Sequence, residues 1–402
     1  MQSLKLKNLL TACFALCMLL FIASTAAGES AEMNALHSSQ YEQALVDILD
    51  DIDASKLDRA RVKLEVLLKE NPKFKLAQMV YGDLLMAIAM PLRSVAAYSG
   101  FSDLRKTALK DELLKRWRHF KRHDNDEIPD YLLELAPQQS HVVVVDVGNS
   151  RLFLYENKHG NVRLVDDYYV SIGLKGPRKN RRGDKRTPLG VYFVNKYIPS
   201  KELPDLYGAG AFPINYPNEW DLKQGKTGYG IWLHGTPSYT LSRPPWASDG
   251  CITLSNQNFI TLSSFIDVGQ TPVIIADGIH WTTQRDLAKR RKVFLETLER
   301  WKTDWESRDI EKYLGNYAPE FKTRERDFKA WAENARVAYS DAGQIKISLS
   351  DLSVFSYPDE DLVVATFEQE YQSDKTVLNT KKRQYWKQFS DGKWKIVYEG
   401  PV

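Results

Sequence analysis

A cysteine attacks a carbonyl as its thiolate, so it needs a base or a positive field beside it. Three cysteines occur in the chain; Cys13 and Cys17 sit in an apolar N-terminal run, leaving Cys251 as the lone thiol beyond it. On count alone, such a cysteine is slightly more often a small core residue than a reactive one. Its context is Ser248-Asp249-Gly250-Cys251-Ile252-Thr253-Leu254. Gly250 permits backbone geometry that other residues resist and lets a substrate approach the sulfur, while N–H groups at such a turn can stabilise an oxyanion. Imidazole is the usual base because it titrates near neutrality. His159, in Asn157-Lys158-His159-Gly160, reads as a solvated turn residue. His234 closes Gly230-Ile231-Trp232-Leu233-His234, where alternation puts Trp232 and His234 on one face of a strand, with Gly235 and Pro237 ending it.

The elements that must position this pair follow from periodicity. Residues 39–135 carry a helical pattern, with Leu57, Ala60, Leu64, Leu67 and Leu68 at helix-face spacing and Asn71-Pro72 as a break. The two helices around that break resemble one tetratricopeptide unit; a plain helical domain for packing or dimerisation is the simpler reading. Ala136 to Ser140 reads as a linker. From His141 to residue 278 short strand candidates follow: Val142–Val147, Arg151–Tyr155, Val162–Ile172, Gly190–Val194, Gly230–Leu233 and Pro272–Ile275. The remainder predicts helices over Trp281–Trp301 and Trp305–Tyr317, then strands Gln344–Leu349, Asp361–Tyr371, Lys382–Phe389 and Lys393–Tyr398. The stretch from Trp305 through Tyr317 and Phe321 resembles the opening of nuclear-transport-factor-like cone domains, which implies an accessory α+β domain over 283–402.

Composition excludes some classes. The formal charge is +3, and removal of Lys5 and Lys7 with a leader would take it to +1, too little for a nucleic-acid binder. Lys5 and Lys7, the apolar run Leu9–Ala23 and the small residues Ser24 to Ala27 read as an export signal over 1–27. The run is short for a membrane span, although an uncleaved anchor is the competing reading. A periplasmic location follows. No paired-cysteine spacing or His-Glu-x-x-His helix supports a metal site, and no cofactor motif is present.

Around the cysteine, the chain resembles the L,D-transpeptidase (YkuD-type) catalytic domain over about 141–277. Its pattern of His-Gly followed by Ser-x-Gly-Cys stands here as His234-Gly235 and Ser248-Asp249-Gly250-Cys251. A second landmark stands as Gly183-Asp184-Lys185-Arg186-Thr187-Pro188-Leu189-Gly190, ahead of a strand. The resemblance implies that Cys251 attacks a peptidoglycan stem peptide, that His234 is the base, and that backbone carbonyls orient the imidazole, with Gly250 or Ser248 the local contributor. It implies oxyanion donors at Gly250 and Cys251, and substrate contacts from Ser248, Asp249, Gly235, Arg243, Thr253 and Trp232. Two departures stand out: Asp249 replaces a common His, and Thr253 replaces an Arg expected to hold a substrate carboxylate. Arg243, in the preceding loop, is a candidate substitute or a solvated charge. The departures resemble a subgroup that pairs this domain with a C-terminal cone domain and includes L,D-carboxypeptidases affecting cell shape. The basic run Lys175 to Arg186 reads first as a solvated face, second as an attractant for anionic cell wall.

The expectation is therefore an exported α+β multidomain enzyme: leader 1–27, helical domain 28–140, β-rich catalytic domain 141–278 and cone domain 283–402. Its expected activity is L,D-transpeptidation through a thioester, with L,D-carboxypeptidation as the alternative. An inactive envelope-binding scaffold is the different-class alternative, disfavoured by the intact His234 and Cys251. A homodimer through the helical domain and envelope protein partners are the other expected associations.

Overall fold

The structure, a computed structural model, describes residues 41–89, 103–120, 127–158, 160–240, 243–341 and 343–402. The expected leader, Cys13, Cys17 and His159 lie outside the described residues. Among those described, no helix is long and apolar enough to cross a membrane.

The N-terminal unit contains helices α1 (residues 41–53), α2 (Leu57–Glu70), α3 (Lys75–Ala89) and α4 (Asp103–Phe120). Helical spacing brings Ala60, Leu64 and Leu67 to the buried face of α2. There they pack with Leu45, Ile48, Leu76, Leu84, Leu109 and Leu113 in a core of their own. Each such leucine withdrawn from water contributes about 1.5–3 kcal/mol. Asn71 ends α2, its N–H returning to Leu67 O as the sequence break predicts.

The helical pattern expected to reach Leu135 ends earlier. Glu127–Pro129 and Leu132–Glu134 are strands. The first pairs with Trp281–Thr283, and the second joins the edge of the C-terminal sheet beside Ile345–Ser356. Ile128, Leu132 and Leu133 enter the core of that region, and tertiary burial overrides a weak local propensity.

The catalytic domain is built on a five-stranded sheet in the order Asn161–Tyr169, Arg151–Lys158, His141–Asp146, Pro272–Ala276, Gly190–Phe193. Its central pair, His141–Asp146 with Pro272–Ala276, is parallel. Val142 to Val145 are all fully buried because this sheet is covered on both faces. Val143, Val145, Leu152 and Ile275 face the active-site layer; Val142, Val144, Phe153 and Ile274 face the C-terminal domain. A smaller sheet bears His234 and leads out of Cys251, in the order Ile252–Thr253, Trp232–His234, Gly210–Pro213, Ile198–Pro199.

In the C-terminal domain the helix Gln284–Glu306 runs through both Trp301 and Trp305, where two helices were expected. No breaker separates them; the next helix, Ile310–Gly315, starts only where the Asp309 side chain caps Glu311 and Lys312 N–H. Tyr317 already belongs to a strand, and Phe328–Asp341 is a helix that the sequence reading did not anticipate. A six-stranded sheet completes the domain.

Candidate active site

Strand register assembles the pair. Trp232–His234 lies parallel to Ile252–Thr253, with Leu233 opposite Ile252 and His234 opposite Thr253. Leu233 and Ile252 point into the domain core. Alternation therefore sends Trp232, His234 and Thr253 to the other face, where Cys251, one residue ahead of Ile252, joins them.

The turn before the cysteine is held from two sides. Gly250 has φ +122°, and a Cβ there would lie 2.6 Å from Arg186 O. Thr187, fully buried, donates its hydroxyl to Gly250 O (3.0 Å) and accepts Gly173 N–H (2.9 Å). The Thr187-Pro188 landmark thus fixes the loop that presents the sulfur. Ser248 Oγ accepts Gly250 N–H (3.1 Å) and donates to Cys251 O (2.6 Å). Two expectations change accordingly. Ser248 spends its hydroxyl inside the turn rather than on substrate, and Gly250 contributes its conformation while its N–H is already engaged.

His234 is buried, with Nδ1 2.6 Å from Gly235 O and Nε2 3.5 Å from Thr253 Oγ1. The orienting carbonyl is that of Gly235, not of Gly250 or Ser248. Burial lowers the imidazole to about 4, with the Gly235 contact opposing and Arg243 reinforcing the shift. Cys251 Sγ lies 3.4 Å from Gly230 O. Burial raises its thiol to about 11; the Trp232 backbone and the charges of Arg243 and Lys179 pull it down, and Asp249 pushes it up. Near neutral pH the two groups therefore rest as thiol and neutral imidazole.

Arg243 is partly buried; Nη2 donates to Ala247 O (2.8 Å), and burial lowers its pKa while the neighbouring Cys251 raises it. It is close enough to feel the sulfur and is not a freely solvated loop charge. Asp249 is the opposite: its side chain is 81% exposed and pairs with Lys185 at 3.3 Å. The basic run is ordered around Asp184, which accepts N–H bonds from Asn180, Arg181 and Arg186 and binds the buried Lys179 at 2.7 Å.

Two contributors escaped the sequence reading. Tyr207 lies edge-on to His234 (ring centroids 5.1 Å) and packs on Trp232 (4.8 Å). Burial raises its phenol, and the charges of Cys251 and Asp249 add to that. Gly230, at φ +76°, turns its carbonyl onto the sulfur. The glycine was a visible signal; Tyr207 arrives from a distant loop and left none. Among the described residues, no group of three or more His, Cys, Asp or Glu could hold a metal ion.

Residues 140–275 match the L,D-transpeptidase catalytic domain, and residues 293–400 match the Cds6 C-terminal NTF2-like domain. No curated protein matches the chain. Among solved structures, Bd1075 of Bdellovibrio bacteriovorus is 30% identical, over 69% of this chain and 99% of that one, with a TM-score of 0.61. The helical cell shape determining protein Pgp2 of Campylobacter jejuni is 26% identical, over 71% of this chain and 98% of that one, with a TM-score of 0.57. The shared two-domain span and the His234–Cys251 layer agree: the chain belongs to the peptidoglycan-related L,D-transpeptidase family, in the form that carries a C-terminal NTF2-like domain.

Proposed function

We propose that the protein is a periplasmic cysteine enzyme that opens the bond before the terminal D-residue of a peptidoglycan tetrapeptide stem. The reading rests on one observation: Cys251 immediately precedes the strand Ile252–Thr253, which pairs in parallel with Trp232–His234, and its sulfur is held by backbone groups of Gly230 and Trp232. With Nδ1–H on Gly235 O, the lone pair at Nε2 is the base. Nε2 takes the thiol proton as Sγ bonds to the carbonyl carbon, and Cys251 N–H is the assigned oxyanion donor. Collapse breaks the C–N bond, and His234 protonates the departing amine. The thioester then acylates an amine, which makes the enzyme an L,D-transpeptidase that cross-links the wall. Water as acceptor would make it an L,D-carboxypeptidase. That second reading is favoured by the helical domain standing against the cleft beside Thr253 and Arg243, where it limits room for a second stem. Similarity to a cell-shape protein supports a role in cell shape.

Incubation with tetrapeptide muropeptides, followed by mass spectrometry, tests the reading. Tripeptide alone identifies hydrolysis; cross-linked or D-amino-acid-exchanged products identify transfer. Cys251→Ala should abolish either product and end labelling by a carbapenem-type acylating agent. Full turnover in that variant would sink the mechanism.

A further inference from the structure

Beside the catalytic turn lies a basin of about 620 Å³ that the reaction does not use, its walls carrying Lys175, Arg178, Arg181, Arg182 and Arg186 with Asp184 among them. The basin adjoins the turn: a Cβ on Gly250 would lie 2.6 Å from Arg186 O, and Lys185 pairs with Asp249 at 3.3 Å. Arg178 and Asn180 also line a second cavity, of about 420 Å³, together with Gln224 and Lys226. Asp359 and Glu360 lead from that one to a third, of about 550 Å³, between the catalytic and C-terminal domains. Any one of these would suit a single small ligand; in series they suit a polymer.

The cationic end of this groove is built into the fold. Asp184 engages both oxygens inside the loop, on the N–H groups of Asn180, Arg181 and Arg186 and on the Lys179 ammonium. Arg178 (φ +65°) and Lys185 (φ +56°) are held in left-handed backbone, which residues with side chains rarely adopt and which persists where the surroundings impose it. Arg178 is met by Asp359 (2.8 Å), and Arg186 donates to Pro177 O (3.0 Å). Lys175, Arg181 and Arg182 are exposed, and among the described residues no carboxylate pairs with them. Arg182 lies over the Tyr229 ring (5.0 Å), which is 67% exposed. Fixed charge of one sign in a concave surface concentrates a polyanion of the other.

We propose that this groove docks the cell-wall polymer itself, its cationic end binding the acidic stems that flank the reacting one on the same glycan strand. The inference rests on the reading proposed above, under which Cys251 acts on one stem while its unreacted neighbours keep their carboxylates. Polymeric wall is then the preferred substrate over a free muropeptide, through residues that touch neither Cys251 nor His234.

The test sediments the full chain carrying Cys251→Ala with isolated sacculi, across a range of salt. Adding Lys175→Glu, Arg181→Glu and Arg182→Glu should weaken binding about tenfold or more, since three weak attractions become repulsions. An unchanged thermal midpoint checks the fold, and Arg181→Gln with Arg182→Gln serves if the triple variant unfolds. Sacculi whose carboxyls have been amidated should bind as weakly as the variant binds untreated ones. In the active chain the same substitutions should slow turnover of sacculi and leave that of a monomeric tetrapeptide muropeptide within about twofold. Binding that survives charge reversal or amidation overturns the groove, as does tighter binding to phosphatidylglycerol vesicles than to sacculi. A chain that binds sacculi through these residues but turns over no muropeptide keeps the groove and loses the reaction. One that processes muropeptides without sedimenting with sacculi loses the groove alone.

Discussion

The catalytic domain meets its neighbours through two seams of opposite chemistry. Toward the C-terminal domain the seam is apolar and aromatic. One face of the five-stranded sheet shares a core with Trp301, Phe367 and Val354, and Trp220 stacks on Tyr385 (5.8 Å, 17°). Toward the helical unit the seam is a chain of buried charge: Glu112, Arg116, Glu42 and Arg151, with Asp167 bridging Arg151 to His119. Arg116 also covers the Tyr169 ring at 3.8 Å. A core shared across a boundary makes two domains unfold as one. A buried ion network does not: its Coulombic gain is largely offset by desolvation, so it specifies geometry more than it stabilises. The stable seam lies behind the active site and the conditional seam lies beside it.

The largest expected effect breaks the first seam. Trp220 is buried and donates Nε1–H to Glu360 (2.9 Å) besides stacking on Tyr385. Trp220→Ala should cost about 3–5 kcal/mol. In calorimetry the catalytic and C-terminal domains should melt together at a lower temperature, with the helical unit unaffected. Separation into two transitions for those domains would show that the shared core does not couple them.

The second seam should respond to pH. Burial raises the Glu112 carboxyl from 4.5 to about 7, against the pull of Arg116 and of the Arg243 backbone N–H. A raised folded pKa means that the contribution is complete below pH 4.5 and is lost as pH rises through 7. The expected loss is about 1–3 kcal/mol for this fully buried group. The helical unit's transition should fall across that window, and Glu112→Gln should flatten the slope. His234 has the opposite sign: lowered to about 4, its contribution is present above 6.5 and lost as pH falls through 4. Parallel slopes in wild type and Glu112→Gln would remove the carboxyl from the account.

These seams also mark what the sequence could and could not convey. Cys251, His234 and Thr187 were legible because each lies in a short segment whose glycines and spacing are local. The catalytic strands were legible from β-branched runs such as Val142–Val145. What orients the histidine was not, because the Gly235 carbonyl is a backbone group with no signature of its own. Tyr207 reaches the site only through long-range packing. The strands Glu127–Pro129 and Leu132–Glu134 were misread as helix because their partners lie about 150 and 220 residues further along, at Trp281–Thr283 and Ile345–Ser356. The basic run looked solvated, and its exposed members are; Lys179 is buried because Asp184 closes the loop around it.

The smallest expected effect sharpens the comparison at the rim of the first seam. Arg178 pairs with Asp359 of the C-terminal domain at 2.8 Å, and its side chain is 63% exposed. An exposed pair gains little in high dielectric and spends side-chain entropy, so Arg178→Ala should cost no more than about 1 kcal/mol. Denaturant midpoints at low and high salt measure this, and the difference should shrink as salt screens the pair. A loss above about 2 kcal/mol that persists in salt would mean that charge, rather than the Trp220–Tyr385 layer, holds the C-terminal domain in place. The two seams would then differ in position but not in kind.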